Sequence, residues 1–324
     1  MKVSVIILNW NSKNFIEECI RSVLRQSFSS IEVIVVDNAS HDGSFELISS
    51  KFGPKIKLIR NEQNLGFAEG MNRGIAIAQG EYLLLLNSDV FLKEDYIERV
   101  VERFMVDVKK EIGVIGGKLY LCIEGRKSNQ IDHVGFFLKA RMAVTNSHNQ
   151  SQEEFVFGSS GACPTIRKEV LSDIALSPEE WFDKDYFAYN EDIDLWFRCQ
   201  LRGWRVLFLP TAEGWHVHSG SVGGKQRLFE RSDELQFHAL KNRYMTVLKN
   251  YPSALFILML PVLLLVEIAV MLYVALYYPQ SLKNLQRAWA YVFENRESIL
   301  RHRKIIQSRR VVSTAYLLQF FKSI

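Results

Sequence analysis

Two clusters of carboxylates in the sequence could take part in chemistry. The first closes the segment at residues 82–91, where an apolar run is followed by Asn87, Ser88 and Asp89. Such a run is typical of a strand buried on both faces of a parallel sheet, and ligands bind beyond the carboxyl ends of these strands. Mg²⁺ or Mn²⁺ needs few protein carboxylates when phosphate and water supply its other ligands. Asp89 is therefore predicted to bind a divalent cation, although the same residues are common in turns.

The second cluster is Glu191 and Asp192, which follow Asn190. Asn190 is a suitable helix N-cap, and free amide groups in the first turn of a helix favour negative charge. Asp194 and Arg198 are four residues apart and can form an ion pair on that helix. The residues alone allow two interpretations, an ordinary acidic helix start or a carboxylate that acts as a general base.

Polar residues also follow the other strands predicted near the N-terminus. Apolar periodicity predicts strands at residues 3–8, 32–36, 56–59 and 82–86, alternating with helices at residues 15–25, 44–51 and 67–78. This order predicts an α/β fold with a doubly wound, mostly parallel sheet and helices on both faces. The strand ends would then bring Asn9, Asn11, Asp37 and Asn64 to the same edge as Asp89.

Residues 90–250 have less regular patterns. They predict a helix at residues 95–106, strands at residues 113–120, 131–139, 155–157 and 205–209, and an exposed polar loop at residues 124–130. Small residues at positions 158–163 could let a substrate approach the backbone closely, or could form a tight turn.

Composition and motifs exclude several classes of protein. The chain contains neither Gly-x-Gly-x-x-Gly after its first strand nor Gly-x-x-x-x-Gly-Lys-Ser/Thr, which argues against a dinucleotide site and a P-loop. Its four cysteines lack paired spacing, which argues against a zinc site and a disulfide framework. A carboxylate such as Asp37 can accept a hydrogen bond from the imide N–H of uracil or thymine. Asp37 could instead cap the following turn.

The ordered set of motifs resembles family 2 inverting glycosyltransferases. The matching segments are Ile-Leu-Asn-Trp-Asn-Ser at residues 7–12, Val-Asp-Asn-Ala-Ser-x-Asp-Gly-Ser at residues 36–44, Asn-Leu-Gly-Phe-Ala at residues 64–68 and Leu-Leu-Asn-Ser-Asp at residues 85–89. The similarity covers about residues 2–250 and is greatest to the rhamnosyltransferase-like branch, which builds bacterial surface polysaccharides. It implies a nucleotide-diphospho-sugar transferase fold of the GT-A type.

The resemblance also implies roles for individual residues. Asp37 would read the pyrimidine, Asp89 would bind the metal, and Asp192 would be the catalytic base, with Glu191 in reserve. His216 would contact the metal or the diphosphate, residues 158–163 would face the sugar and acceptor, and residues 221–225 would form a lid. Donor contacts are expected at Asn9, Asn11, Asp37, Asn64, Gly66, Asn72, Asn87, Ser88 and Lys225. Asn87 replaces the first Asp of the family's Asp-x-Asp motif, which leaves the metal with one carboxylate fewer.

The chain changes character after Pro252. Residues 255–276 carry a single charge, Glu267, and are long enough to cross a bilayer. After Pro279, nine Lys or Arg residues outnumber two acidic residues, which favours anionic lipid over nucleic acid as a partner. We therefore expect a catalytic domain at residues 1–250 and a membrane-associated helical region at residues 251–324. The pattern leaves open whether residues 255–276 span the membrane, re-enter at a break near Pro261 or lie in its plane.

Together these observations predict a metal-dependent, inverting glycosyltransferase at the cytoplasmic face of the inner membrane. The expected donor is a dTDP- or UDP-linked sugar, with dTDP-rhamnose first, and the expected acceptor is a polyprenyl-linked saccharide of a surface polysaccharide. One alternative is a sugar-phosphate nucleotidyltransferase, but the first strand lacks the glycine-rich loop that such enzymes carry. Another is a non-catalytic membrane scaffold with a nucleotide-sugar site, against which the presence of both Asp89 and Asp192 speaks.

Overall fold

Four parallel strands form one half of the central sheet in the computed structural model, which describes residues 1–123, 126–139, 144–217 and 228–322. These strands are β1 (Val3–Asn9), β2 (Ile31–Asp37), β3 (Lys57–Arg60) and β4 (Tyr82–Asn87), and the helices between them are α1 (Lys13–Leu24), α2 (Ser44–Phe52) and α3 (Gly66–Ala76). The strands lie in the order β4-β1-β2-β3. Because the order reverses between β1 and β4, α1 and α2 pack on one face and α3 on the other. The alternating pattern predicted for this half is confirmed.

The other half of the sheet is mixed. It contains β5 (Val90–Leu92), β6 (Ile112–Ile123), β7 (Arg126–His133), β10 (Glu154–Val156), β11 (Pro164–Arg167) and β12 (Arg205–His216), while β8 (Phe136–Leu138) and β9 (Val144–Asn146) form a separate hairpin. β11 lies antiparallel between β4 and β6, and β12 is parallel to β6. The prediction of a mostly parallel sheet is therefore wrong for this half. Among the described residues, the chain between β6 and β11 contains strands and no crossover helix, and β11 returns antiparallel beside β6.

A hairpin replaces the exposed loop predicted at residues 124–130. β7 pairs antiparallel with β6, with Tyr120 opposite Ile131 and Cys122 opposite Lys127. Residues 126–130 are thus part of a strand, and residues 124–125 lie outside the described residues. The polar composition was misleading because β7 has mostly accessible side chains while β6 satisfies its backbone.

Eight further helices complete the described chain. They are α4 (Tyr96–Met105), α5 (Lys168–Ile174), α6 (Glu191–Leu201), α7 (Asp233–Asn250), α8 (Ser253–Tyr277), α9 (Leu282–Glu294), α10 (Arg296–Ser308) and α11 (Thr314–Leu318). Residues of α10 and α11, including Ile306 and Leu317, share one apolar core with Phe197 of α6. Backbone bonds join Leu138 of β8 to Phe320 and Lys322. The division into regions at residue 250 stays a prediction, and the two stretches share this core.

A buried ionic network ties α6 to the C-terminal helices. Asp194 pairs with Arg198 at 2.9 Å, as the sequence predicts, and with Lys249 of α7 at 3.0 Å. Lys249 also pairs with Asp183, which His302 of α10 contacts at 3.2 Å. Burial opposes ionisation of Asp194, but Lys249 and Arg198 outweigh it and lower the pKa of this carboxyl group. Removing either partner would leave an uncompensated buried charge.

Helix α8 is continuous through Pro261, so the break expected there is absent. It is the one helix in the described part of the chain that is long and apolar enough to cross a membrane by length and composition alone. Only 6% of its most apolar stretch is buried. This exposure distinguishes α8 from the core helix of a globular domain.

Candidate active site

The ends of β1 and β2 carry a cluster of hydrogen-bonded polar side chains at one edge of the sheet. Asn9 and Asp37 are register partners, and Asn9 Nδ2 donates to Asp37 Oδ1 at 2.7 Å and to Ser44 Oγ at 2.9 Å. Asp37 Oδ2 accepts from the amide of Ser40 at 3.1 Å and lies 3.7 Å from Arg60 Nε. The structure thus brings Asn9 and Asp37 together, but Asp37 is fully buried and holds its own loop.

Asparagine side chains form hydrogen bonds that hold two loops beside this polar cluster. Asn11 has a φ of 49°, and its Oδ1 accepts from the amide of His41 at 2.8 Å. Asn64 Oδ1 accepts from the amide of Gly66 at 2.9 Å and from Asn38 Nδ2 at 3.3 Å. These residues lie at the predicted edge, and each amide already shapes the loop that a donor would meet.

Gly66 has no room for a side chain. Its φ is +77°, and an added Cβ would lie 2.5 Å from the carbonyl oxygen of Phe187. That carbonyl accepts from the amide of Phe67 at 2.5 Å, at the start of α3. Gly66 therefore lets the start of α3 pack closely against the loop before α6.

Asn72 lies elsewhere. Its Nδ2 donates to the carbonyl of Phe182 at 2.8 Å, and its Oδ1 accepts from the Phe182 amide at 2.9 Å. The side chain is buried between α3 and this segment. The structure gives Asn72 a structural contact and does not bring it to the donor edge.

Asp89, His216 and Asp132 form a line of titratable groups beyond β4. His216 Nε2 lies 3.5 Å from Asp89 Oδ1, and His216 Nδ1 lies 3.0 Å from Asp132 Oδ2. The pairing of β5 with β12 places Val90 opposite His216 and thereby sets the distance to Asp89. The predicted neighbours Asp89 and His216 are thus brought together. Nearby, Ser88 Oγ donates to Ser12 Oγ at 2.8 Å, and the Asn87 amide donates to the carbonyl of Ala162 at 2.9 Å.

The Asp89 carboxylate and the His216 imidazole are ligands that fit a divalent cation. Burial lowers the pKa of His216, but hydrogen bonds to Asp132 and Asp89 outweigh that effect and raise it to about 9. Asp132 holds Nδ1 and leaves Nε2 facing the Asp89 carboxylate, which is how carboxylates orient metal-binding histidines. A cation would replace the Nε2 proton. Within the described ranges, no three His, Cys, Asp or Glu side chains are grouped to hold a metal ion, so substrate phosphates would complete the coordination. Lys225 and the proposed lid lie outside those ranges.

A strained loop precedes α6 and positions the second cluster. Phe187 has φ 58° and ψ −67°, and the Ala188 amide donates to the carbonyl of Tyr186 at 2.6 Å, which defines a γ-turn. Tyr189 and Asn190 also have positive φ values. Such conformations cost about 1 to 3 kcal/mol each and cluster at functional sites.

Asn190 occupies the N-cap position of α6, as predicted. Its φ is 63°, however, and its side chain forms no capping bond to the helix. Asn190 Nδ2 lies instead 3.5 Å from the carbonyl of Ala239 in α7. The left-handed backbone turns the amide away from the first turn of α6, so the capping part of the prediction is wrong.

The side chain of Asn242 in α7 forms hydrogen bonds to this loop. Its Nδ2 donates to the carbonyls of Tyr186, Ala188 and Tyr189 at 2.8, 2.8 and 2.6 Å. Asn242 is fully buried, and Lys241 Nζ donates to its Oδ1 at 2.8 Å. One side-chain amide therefore contacts three carbonyls of the strained loop.

Asp192 and Glu191 begin α6 beside the small-residue loop at residues 158–163. Asp192 Oδ1 accepts from the Ile193 amide at 2.7 Å, and Oδ2 accepts from the Gly161 amide at 3.3 Å. A Cβ on Gly161 would lie 3.0 Å from the Asp192 Cβ, so a side chain here would press on Asp192. Glu191 Oε2 is buried with no hydrogen-bond partner among the described residues.

Burial makes both carboxylates more basic. It is the main cause that raises the pKa of Asp192, against the backbone amides that lower it. Burial and the negative charge of Asp192 raise the pKa of Glu191 as well. A carboxylate of raised pKa is a better proton acceptor near neutral pH. The arrangement can therefore abstract a proton from a group held near Gly161.

Sequence patterns did not reveal Asp132, Asn242 or the γ-turn at Phe187. Asp132 reaches His216 only through the β6–β7 hairpin. Its adjacency to His133 was the one available signal. Asn242 lies on a helix whose polar and apolar residues are not well separated, so its burial could not be read from spacing.

The chain has a GT-A-like α/β fold with a mixed sheet. The chain belongs to glycosyl transferase family 2, whose family model matches residues 4–174. The likeness to solved structures includes Staphylococcus aureus TarS residues 1–349 in complex with UDP, with a TM-score of 0.57 and 17% identity, covering 95% of this chain and 90% of that one. A structure of GalNAc-T7 with UDP, GalNAc and Mn²⁺ gives a TM-score of 0.58 at 16% identity, covering 76% of this chain and 48% of that one. Both show the fold.

Curated relatives support the same family. An uncharacterized glycosyltransferase of Haemophilus influenzae is 30% identical over 226 residues, covering 68% of this chain and 67% of that protein. Glycosyltransferase GlyG of Streptococcus pneumoniae is 27% identical over 190 residues, covering 56% of this chain and 62% of that protein. A poly-β-1,6-N-acetyl-D-glucosamine synthase of Staphylococcus aureus is 23% identical over 258 residues, covering 79% of this chain and 60% of that protein. The chain thus spans less than two thirds of the last two relatives.

Proposed function

We propose that this chain is an inverting transferase that moves a sugar from a nucleotide-diphospho-sugar to a lipid-linked saccharide. The observation that carries the proposal is the position of Asp192, a buried carboxylate of raised pKa beside the Gly161 amide at the open edge of the sheet. The family assignment supports sugar transfer as the reaction class. The proposed donor is dTDP-rhamnose, and the proposed setting is surface polysaccharide or lipopolysaccharide synthesis at the cytoplasmic face of the membrane.

The proposed step uses Asp192 as general base. Its carboxylate accepts the proton of an acceptor hydroxyl, and the hydroxyl oxygen forms a bond to the anomeric carbon as the bond from that carbon to the diphosphate breaks. The nucleoside diphosphate leaves from the opposite face, so the configuration inverts. Burial and the charge of Asp192 raise the pKa of Glu191 to about 8, above that of Asp192, so Asp192 is the carboxylate of the pair that ionises first.

Asp89 and His216 would hold Mg²⁺ or Mn²⁺. When bound, the cation would offset the negative charge of the diphosphate. Asp132 keeps the His216 ring in place for this role. Asn9, Asp37 and Asn64 maintain the loops that would enclose the pyrimidine and ribose.

A donor screen tests the proposal. The full chain would be incubated with dTDP-rhamnose, UDP-glucose, UDP-N-acetylglucosamine and GDP-mannose, with Mg²⁺ or Mn²⁺, and release of nucleoside diphosphate would be measured. We expect turnover with dTDP-rhamnose that increases when a polyprenyl-linked saccharide is added, and loss of that turnover in Asp192→Asn. Equal turnover in Asp192→Asn would overturn the assignment of the base, and turnover with a UDP-sugar alone would overturn the proposed donor.

A further inference from the structure

An apolar face runs along α8, and no described part of the chain covers it. Its exposed large apolar side chains recur about once per helical turn and are Ile257, Leu258, Leu260, Leu264, Leu265, Ile268, Met271, Leu272 and Leu276. The face is about 29 Å long at a rise of 1.5 Å per residue. Continuous apolar surfaces of this size mark a contact with another molecule or a membrane.

The opposite face of α8 is fixed to polar helices. Glu267, the only charged residue of α8, accepts hydrogen bonds from Arg243 and Tyr244 of α7, and from Trp289 Nε1 of α9 at 3.2 Å. Glu267 lies near the middle of the helix. If α8 crossed a bilayer upright in this arrangement, Arg243 and the polar helix α7 would enter the hydrocarbon with it, which is costly. The packing therefore favours α8 lying along a membrane surface.

A groove follows α8 from an apolar end to a basic end. A cavity of about 430 Å³ lies between α7, α8 and α9 and adjoins a second of about 320 Å³, with which it shares Phe256, Val292 and Arg296. The second cavity shares Leu300 and Arg303 with a third of about 430 Å³. The lining of the third cavity includes Arg303, Lys304 and Arg310 but no carboxylate.

The basic end of this groove can receive an anion. Arg303 donates from Nη1 to the carbonyls of Leu248 and Tyr251 at 2.7 Å each, which fixes it at the C-terminal end of α7. Lys304 and Arg310 are exposed, and among the described residues no hydrogen bond or ion pair is found for either side chain. A phosphate group placed between Lys304 and Arg310 could pair with both side chains, and Arg303 lines the same cavity.

We propose that α8 lies in the plane of an anionic membrane and that this groove binds one anionic phospholipid. An acyl chain would occupy the apolar cavities between α8 and α9, and the phosphate would contact Lys304 and Arg310. Trp289 and Phe293, both partly exposed on α9, would sit with α8 at the boundary between headgroups and acyl chains. The apolar-to-basic order of the groove matches the two ends of such a lipid.

The bound lipid would be a membrane component and not the sugar acceptor. Arg303 contacts the end of α7, about two helical turns beyond Asn242, which holds the catalytic loop. The proposal does not depend on sugar transfer, because lipid binding can be measured without donor or acceptor.

Charge variants test the lipid site. The full chain would be floated with vesicles of phosphatidylcholine alone or with added phosphatidylglycerol. Lys304→Gln with Arg310→Gln should weaken binding to the anionic vesicles about 30-fold, since each basic residue near an anionic surface contributes about a factor of five. Lys55→Gln with Lys109→Gln removes the same charge from exposed positions remote from α8 and should have little effect. An equal loss in both pairs would mean unspecific attraction and would overturn the site.

Native mass spectrometry gives a second measurement of the site. The wild-type chain in mild detergent with phosphatidylglycerol should retain one lipid molecule, and the Lys304→Gln, Arg310→Gln variant should retain none. Phosphatidylcholine should not be retained by either. Equal retention of both lipids would overturn selectivity for an anionic headgroup.

Spin labels test the orientation of α8. Single cysteines at Leu258, Leu265 and Leu272 would be introduced in a Cys122→Ser background, because the other native cysteines are buried. In vesicles, an in-plane helix places the three labels at the same shallow depth of about 5 to 10 Å. A maximum of depth at Leu265 would show a spanning helix and overturn the proposal. Labels shielded by a second copy of the chain, with no lipid contact, would overturn it as well.

Discussion

Two carboxylates two residues apart on α6 should respond in opposite ways to neutralisation. Asp192 is buried beside Glu191, so ionisation costs the folded state free energy. Asp194 is buried against Arg198 and Lys249, so its ionisation is favourable. Asp192→Asn should therefore stabilise the protein while abolishing most of its turnover, and Asp194→Asn should destabilise it.

The size of each change in the free energy of unfolding follows from the groups that surround the carboxylate. The pKa of Asp192 is raised to about 6, and each pKa unit corresponds to about 1.4 kcal/mol, so Asp192→Asn should raise the free energy of unfolding by about 1 to 3 kcal/mol at neutral pH. Because the folded-state pKa is the higher one, this gain is present above the folded-state pKa. It disappears as the pH falls through the pKa of the unfolded chain, where both states are protonated. Asp194→Asn should cost about 3 to 5 kcal/mol.

Urea unfolding of the full chain between pH 4 and pH 8 measures both effects, and turnover measures catalysis. Turnover of Asp192→Asn should fall by about 10² to 10⁴, the usual contribution of a general base. Glu191→Gln is the matched control, which should keep more of the turnover. A stability gain that persisted unchanged at pH 4, or a loss at neutral pH, would refute the electrostatic account. Near-normal turnover of Asp192→Asn together with a large loss in Glu191→Gln would reverse the roles.

Three further predictions concern the cation, the loop and the donor edge. Asp89→Ala should abolish cation-dependent transfer and weaken donor binding, because it removes the carboxylate that faces His216; full wild-type turnover in excess chelator would contradict the metal assignment. Asn242→Leu should lower the free energy of unfolding by about 1 to 3 kcal/mol, because it removes the buried amide that donates to the carbonyls of Ala188 and Tyr189, and should reduce kcat more than donor affinity; unchanged kcat would separate the loop from catalysis. Gly66→Ala should destabilise the protein because of its positive φ and the contact with Phe187, whereas Gly53→Ala, which has open space, should be near neutral in the same unfolding assay.

The sequence predicts those parts of the fold that depend on local patterns. Apolar runs ending in polar residues located β1 to β4, and the parallel register then placed Asn9 beside Asp37. The structure also places Asp89 within 3.5 Å of His216, the two residues assigned to one metal site, and their metal role stays a prediction. Contacts between distant segments could not be read in this way. Asp132 reaches His216 through a hairpin whose strand β7 looks like a polar loop, and periodicity carries no information about such pairing.

The backbone conformation of the loop before α6 could not be predicted from the sequence either. Phe187 and Tyr189 have no intrinsic preference for positive φ, and their conformations are imposed by Asn242 on another helix. The basic C-terminal helices were expected to associate with a membrane, because Lys and Arg predominate after Pro279. Their apolar faces nevertheless pack partly on the catalytic core, through residues such as Ile306 and Leu317, because a periodic pattern does not specify which surface covers it.

The contact between β8 and residues 320–322 has a consequence for the order in which the chain matures. The apolar core around α6 includes Ile306, Leu317 and Phe320, which are synthesised well after the last strand of the sheet. At a translation rate of about 5 to 20 residues per second, the stretch from residue 250 to residue 320 takes about 4 to 14 s to make. During that interval α8 is completed before Ile306, Leu317 and Phe320 can pack around α6. If α8 binds a membrane as proposed, attachment can begin before this apolar core is complete.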